Sequence, residues 1–528
     1  LAALGSAVAK VGGNAFLSRV LGFVRDLVLA RVFGADAGTD AFFVAFKVPN
    51  FARRLFAEGA FAAAFVPVFF EYKANRGQAE LRRLLDEVTG TLGALLAAVT
   101  ILGVLAAPLL ILVFAPGFGA QPGQQALAAE MLRLTLPYLL FISLTALAGG
   151  VLNAHGRFGV PAFTPVLLNV SIIACALHLA PALERPVFGL AWGVLIGGIL
   201  QLAFQLPPLA RLGLIPRPRF NLRGAGVTRI VRRLGPGLFG VSVTQVNLLL
   251  DTLFASFLAA GSISWLYYSD RLMEFPLGIL AVALGTVILP RLSREHARRS
   301  PASFSDTLDW ALRWTLLLGA PAAVGLTVLA GPILATLFYS AEFAAGDVRM
   351  ASLSLMAYAV GLAAFMAIKV LVPGYYARNA QRAPVRFALV ALAVNLALNL
   401  VLMGPLGHAG LALATSVAAF VNAALLLRGL LRAGVLRPPR GWPLLLLRGL
   451  GASLAMAVLL WFGTGEVSQW LALQPAQRVL RLGGWIVAGA LVYALTLLAL
   501  GIRPRHLREH VASPGATGAH PENNRKGL

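Results

Sequence analysis

Thr89–Phe114 reads TGTLGALLAAVTILGVLAAPLLILVF, and no charged side chain interrupts it. A hydrocarbon core about 30 Å thick needs roughly 20 apolar residues per helical crossing, so this stretch is long enough to span one. It lacks period-2 alternation, and a barrel strand would need only about ten residues, which leaves a helix. The rest of the chain repeats the pattern. Of 528 residues, 59% are hydrophobic and 12% charged, with mean hydropathy +0.80; soluble domains have roughly 45–50% and about 25%. Breaks at glycine, proline and charge clusters leave about fourteen apolar segments. They span 3–33, 39–70, 84–114, 128–152, 160–180, 187–210, 227–259, 264–290, 305–338, 350–376, 385–403, 409–431, 443–463 and 478–501. The expected fold is an all-α polytopic membrane bundle, and disorder, collagen-like repeats and a disulfide scaffold are excluded. The single cysteine, Cys175, lies in an apolar run and is expected to be a buried, inert thiol. Arg19, Arg25 and Arg31 interrupt the first apolar stretch, which therefore lacks the layout of a short cleavable signal.

The net charge is +23, from 44 Lys and Arg against 21 Asp and Glu. In a soluble chain that balance would suggest nucleic acid. Here its distribution suggests topology. Alternate loops, beginning with 71–84 and ending with the tail from Arg503, hold about 28 of the 44 basic residues. The opposite set holds about three, Arg185, Arg349 and Arg478. Cytoplasmic loops collect Lys and Arg, so both termini are expected in the cytoplasm and no nucleic-acid partner is required. The tail, with Pro514, Gly515, Gly518 and a polar run, reads as a disordered end.

The chain carries an internal duplication. Gly189-Leu-Ala answers Gly410-Leu-Ala, Gln201 answers Asn422, and Arg211-x-Gly213 answers Arg432-x-Gly434, all at an offset of 221. Pro67 answers Pro290, and Pro161 answers Pro384, at nearly the same offset. Six helices per repeat give both halves the same orientation, and transporters of this type hold substrate between the halves. The expected units are 1–215 and 216–434 as six-helix lobes, 435–502 as two extra helices, and 503–528 as a cytoplasmic tail.

Some charges lie where insertion is costly. The first helix carries Arg19, Arg25 and Asp26; the second carries Asp40 near one end and Lys47, Arg53, Arg54 and Glu58 about its middle; the eighth carries Asp270, Arg271 and Glu274. Snorkelling from a helix end suits Arg31, Arg133, Arg313 and Arg448. It suits Arg53 and Arg54 poorly, since they lie about 20 Å from either end at the helical rise. A lipid-facing central arginine costs about 2.5–3.5 kcal/mol, so five would cost on the order of 12–17 kcal/mol. They must be paired or face water. Glu58 follows Arg54 by four residues and Glu274 follows Arg271 by three, so ion pairs form on those faces. Even so, Arg19, Arg25, Arg53, Arg54 and Arg271 outnumber Asp26, Glu58, Asp270 and Glu274. Structural ion pairing is one reading. A central cationic cavity is the other, and its guanidinium forks suit phosphate, pyrophosphate or carboxylate.

At these residues the chain resembles a known family. SRVLGFVRDLVLARVFGADAGTDAFFVAFKVPNFARRLFAEGAFAAAFVPVF (Ser18–Phe69) is similar to the amino-terminal signature of the MurJ (MviN) lipid II flippases, and YYSDRLMEFPLGILAVALGTVILP (Tyr267–Pro290) resembles their eighth helix. The likeness covers essentially the whole chain. It implies membership of the multidrug/oligosaccharidyl-lipid/polysaccharide exporter superfamily. It also implies alternating-access export of lipid II, an undecaprenyl-pyrophosphate-linked peptidoglycan precursor, across the bacterial inner membrane for cell-wall biogenesis. On this resemblance Arg19, Arg25, Arg53, Arg54 and Arg271 are the substrate-binding arginines, and Asp26, Asp40 and Glu58 functional acids. The two extra helices would form a groove for the polyprenyl tail, and the protein is expected to act as a monomer among membrane lipids.

Asp251, Asn395, Asn399 and Thr415 form a further constellation on adjacent helices. Their oxygens could hold a hard monovalent cation. By resemblance they match a sodium site in the family, with Asn399 in place of an aspartate. Hydrogen-bonded packing between helices is the alternative.

No Walker motif is present, so ATP is not the direct energy source. His155, His178, His296 and His408 are scattered without zinc-ligand spacing, and Ser18 and Ser264 lack a base partner. Three rivals remain. A drug/cation antiporter would need an acidic or aromatic cavity. An enzyme acting on polyprenyl phosphate would need clustered acids for a divalent metal. A flippase for another polyprenyl-pyrophosphate-linked oligosaccharide shares the ligand chemistry and is the nearest alternative.

Overall fold

The computed structural model describes residues 2–54, 61–278, 282–437 and 441–502; Glu58 and the tail from Arg503 lie outside them. In the first half run α1 (Ala2–Phe33), α2 (Ala37–Arg53), α3 (Phe61–Asn75), α4 (Gly77–Leu105), α5 (Ala107–Phe114), α6 (Gln124–Thr135), α7 (Tyr138–Ala154), α8 (Gly159–Ala174) and α9 (Phe188–Arg211). The second half has α10 (Ala225–Ala255), α11 (Ser262–Pro276), α12 (Val282–Ala297), α13 (Pro301–Val328), α14 (Ala330–Leu337), α15 (Ala345–Tyr376) and α16 (Arg382–Arg432). Finally come α17 (Trp442–Thr464), the short α18 (Val467–Leu471) and α19 (Pro475–Ala499). All fourteen apolar segments contain described helix, and the described residues contain no strand.

Among the described residues, nine helical stretches are long and apolar enough to cross a membrane. One of them, α16, is two helices that reverse at Gly407, whose φ of 56° and ψ of −134° suit glycine. The charge-bearing α1, α2 and α11 are not among the nine. Leu105, Leu447, Phe462 and Leu480 are 70–80% exposed, an apolar surface that only lipid would cover. Cys175 is free and buried, as expected.

Second helices of the two halves share a departure from regular winding. The segment 39–70, expected as one helix, starts as α2 and widens toward a π-turn at Arg54; α11 does the same at Leu277–Gly278. The two sites are 223 residues apart, the spacing of Pro67 and Pro290. Such widening concentrates at functional positions.

The core explains how the halves meet. One large cluster takes residues from both halves, including Phe42, Phe43 and Leu132 from the first and Tyr268, Phe338 and Leu355 from the second. It occupies the end of the bundle away from the first residue of α1. Toward the other end the core divides. Phe65, Phe69, Leu84 and Val151 make one cluster, joined by Val227 and Ile230 from α10. Ile288, Leu308, Val370 and Leu430 make another. One cluster thus spans both halves at one end, while at the other the clusters are distinct and the start of α10 packs with the first half.

A strap after α9 is pinned along α4. Arg217 N–H donates to Asp86 Oδ1 at 2.6 Å, and Asn221 N–H to Thr91 Oγ1 at 3.0 Å. Beside it, Arg229 donates to Glu71 at 2.6 Å and thereby holds that carboxyl below its usual range. The pair α17 and α19 packs on α13 and α14. Tyr493 Oη donates to Leu317 O, and Arg478 Nη1 to Ala335 O, fixing the pair to the second half.

Candidate functional site

α1 and α11 both contribute to the shared cluster, with Leu29 from one and Tyr268 and Leu272 from the other, and the central charges meet beside it. Arg25, buried in α1, donates through Nε and Nη2 to Asp26 Oδ1 at 3.0 and 2.6 Å. Its Nη1 reaches Asn169 Oδ1 at 3.1 Å, and Asn169 in turn donates to Ser18 O, tying α8 to α1. From α11, Tyr267 Oη accepts from Arg25 Nη2 at 2.9 Å and donates to Asp26 Oδ1 at 3.0 Å. Arg271 sits one turn after Tyr267, with its guanidinium carbon 5.1 Å from that ring's centre and its Nε 3.5 Å from Asp26 Oδ2. Two guanidiniums from opposite halves therefore share one carboxylate. Arg25 is enclosed, whereas Arg271 keeps a third of its side chain exposed and pairs with the half-exposed Glu274 at 2.8 Å.

Arg19 joins this wall, since a Cβ on Gly278 would lie 3.4 Å from its Nη1. Arg53 and Arg54 end α2, half-buried, with Arg53 Nε on Asn50 Oδ1 at 2.9 Å. Asp270 is within electrostatic reach of Glu274, Arg271, Lys47 and Asp251. Glu58 lies outside the described residues.

Asp40 has a different role from the midplane acids. It stands in the first turn of α2, whose start is closed by a capping box between Asp36 and Thr39. Its carboxylate accepts from Gly261 N at 2.7 Å, Ser264 N at 2.8 Å and Ser264 Oγ at 2.6 Å. Gly261, at φ 93°, supplies no side chain to cap α11, so an acid from the other half caps it. Sequence reasoning placed Asp40 near an end and gave it no partner. It also missed Tyr267 and Asn169, although Tyr267 lies at the i−4 position from Arg271 and is visible in hindsight.

The four residues considered for sodium do meet. Asn399 Nδ2 donates to Asp251 Oδ1 at 3.1 Å and to Asn395 Oδ1 at 3.0 Å. Asn395 Nδ2 donates to Thr415 Oγ1 at 3.1 Å, and Thr415 Oγ1 lies 3.3 Å from Asp251 Oδ2. Asp251, Asn395 Oδ1 and Thr415 Oγ1 each meet an N–H or O–H donor of the set, while the buried Asn399 Oδ1 faces no partner among the described residues. Among the described residues no group of three or more His, Cys, Asp or Glu side chains is placed to hold a metal.

A family model described as "Lipid II flippase MurJ" matches residues 29–479. A Haemophilus influenzae protein named "Probable lipid II flippase MurJ" is 46% identical over 93% of this chain and 99% of its own length. The Vibrio cholerae protein of the same name is 47% identical, with coverage of 94% and 96%. The Burkholderia cenocepacia "Lipid II flippase MurJ" is 41% identical, with coverage of 95% and 98%. Among solved structures, "Lipid II flippase MurJ, inward closed conformation" aligns with TM-score 0.77 and 27% identity over 92% of this chain and 97% of that one. An inward-facing multidrug resistance MATE family transporter shares the fold, with TM-score 0.61 and 16% identity over 79% and 95%.

Proposed function

Since the chain belongs to the lipid II flippase MurJ family, we propose that it exports lipid II from the inner to the outer leaflet of the bacterial cytoplasmic membrane by alternating access. It acts as a transporter and not as an enzyme. The observation that carries this reading is the Arg25–Asp26–Tyr267–Arg271 cluster, built from both halves beside their shared core. Headgroup pyrophosphate offers oxygens to the exposed fork of Arg271 and competes with Glu274 and Asp26 for it. Binding at a cluster shared by α1 and α11 therefore acts on both lobes at once. The isoprenoid tail stays in lipid, so only the headgroup crosses.

The proposed division is 1–215 and 216–434 as the moving lobes, with 435–502 carrying the tail groove and 503–528 the tail of the chain. Arg19, Arg53 and Arg54 complete the anion-binding surface, and Asp40 and Glu274 act in gating. The excess of Lys and Arg in alternate loops supports cytoplasmic termini. With that orientation the fused core closes the outer face and the divided ends open toward the cytoplasm. The working unit is the monomer. The test is a leaflet-specific lipid II accessibility assay in cells depleted of their native flippase. Outer-leaflet lipid II should be restored by this chain; its absence, with the protein present in the membrane, refutes the reading.

A further inference from the structure

A cavity of about 440 Å³ lies in the second half, lined by α13, α15, the arm of α16 after Gly407, and Trp442 from the start of α17. Its walls are apolar, with Leu312 from α13, Leu371 from α15 and Phe420 and Leu427 from α16, and small residues such as Ala367 and Ala423 make the room. The two polar side chains in the lining are already satisfied. Thr315 Oγ1 donates to Ala311 O at 2.9 Å, and Trp442 Nε1 to Asp309 Oδ1 at 2.7 Å. Such walls offer a water no partner, and apolar cavities of about 150 Å³ already stay dry and take up an apolar guest.

Length and charge identify the guest. From Phe420 to Leu431 the cavity follows α16 for about 16 Å at the helical rise, and half of a hydrocarbon core of about 30 Å is about 15 Å. It is one leaflet deep. Phe420 and Leu431 are 46% and 37% exposed, so the cavity opens sideways to lipid along that length. The Leu431 end carries the charge. Arg428 follows the lining residue Ala424 by four positions and precedes Leu431 by three, which sets it on the lining face of α16. Arg432 lies one turn further, and Arg437 adjoins the lining residue Leu436, its N–H fixed to Ser305 Oγ of α13 at 3.0 Å. All three arginines are exposed, and among the described residues their guanidiniums form no ion pair. Guanidinium forks bind phosphate, and basic pockets between helices on the cytoplasmic side hold anionic headgroups.

We propose that this cavity binds a phospholipid of the cytoplasmic leaflet whose headgroup carries net negative charge. One acyl chain fills the space between α13, α15 and α16, and the phosphate rests on Arg428 and Arg432 with Arg437 at the rim. The site belongs to the second half alone, apart from the arginine cluster of α1 and α11 and from the lipid-facing surfaces of α17 and α19. The inference rests on the membrane orientation proposed above and not on the identity of the transported lipid.

The test is mass spectrometry of the intact full chain, purified in detergent with equal amounts of phosphatidylglycerol and phosphatidylcholine bearing the same acyl chains; it requires no transport. Wild type should keep a single phosphatidylglycerol after the detergent is stripped. Ala367→Phe with Ala423→Phe fills the cavity and should keep none. Arg428→Gln with Arg432→Gln leaves the cavity open, so a lipid should remain, but preference for phosphatidylglycerol should fall about fivefold for each arginine lost. If the filled variant does not fold, the surface arginine pair decides alone. Phosphatidylglycerol kept equally by a folded filled variant would mean lipid held only at the general surface and overturns the proposal. Unchanged preference in the arginine pair overturns it too, as does a wild-type cavity that takes undecaprenyl phosphate in preference to phosphatidylglycerol.

Discussion

Replacing Asp40 by alanine should loosen the fused end of the bundle. The carboxylate is 2% exposed and receives three hydrogen bonds from Gly261 and Ser264. Its loss removes a helix cap, worth about 0.5–2 kcal/mol, and leaves buried donors unsatisfied at about 1–3 kcal/mol each. These contributions overlap, and water entering the gap recovers part of them, so we take about 2–4 kcal/mol in total. Because every bond crosses between halves, the whole amount falls on the equilibrium between closed and separated ends. At 1.4 kcal/mol per factor of ten, the separated population should rise about 30- to 700-fold. Ala41, fully buried beside Asp40, reports on that population. In a Cys175→Ser background, Ala41→Cys should react slowly with an impermeant thiol reagent added from outside, and faster by that factor once Asp40 is alanine. Asp40→Asn, which keeps an acceptor oxygen, should fall between. Labelling unchanged to within threefold, in protein that remains folded, would refute the idea that this acid holds the halves together.

Other outcomes follow from the same geometry. Arg25→Ala should abolish complementation at normal protein level, and Arg25→Lys should rescue it only in part, because one ammonium cannot replace contacts to Asp26, Asn169 and Tyr267 together; full activity of Arg25→Ala would count against the anion mechanism. Tyr267→Phe should lower flipping, since it removes the hydroxyl bridging Arg25 and Asp26, and the lipid II accessibility assay reads the loss. Gly117→Ala should accelerate Ala41→Cys labelling, because the added Cβ would collide with the Ser256–Phe257 backbone of the opposite half. Collapsing the membrane potential at constant sodium should stop export, as about 2.3 kcal/mol per charge per 100 mV no longer drives the empty cationic carrier back inward; export that persists would exclude the potential as the driving force.

The all-helical, membrane-spanning class was legible because hydropathy is a local property of sequence. Gly407 illustrates the grain of that reading: apolar segments 385–403 and 409–431 leave room for the reversal that its backbone makes. The arginines too were legible, from the cost of placing them in lipid. Their partners were not. Arg25 finds Tyr267 at a separation of 242 residues, and Asp40 finds Ser264 at 224. No periodicity within a helix encodes such pairs; they depend on how two separately readable halves are set against each other. The same holds for Lys47, conspicuous as a charge in an apolar run, whose partner Thr252 lies 205 residues away.

The last two long helices are anchored to the second half through α13 and α14. Whatever lies along them shares that half's frame of reference, whereas the arginine cluster is built from both halves. On the proposed function, a lipid whose tail rested on α17 and α19 would be fastened to one arm of a pair of tongs while its head sat in the jaws. As the arms turn, the slack must come from the lipid itself, in the isoprene units between groove and cluster. The length of that slack becomes a mechanical property of the transport cycle: a tail too short would act as a brake on the turning arms, even with its headgroup fully recognised.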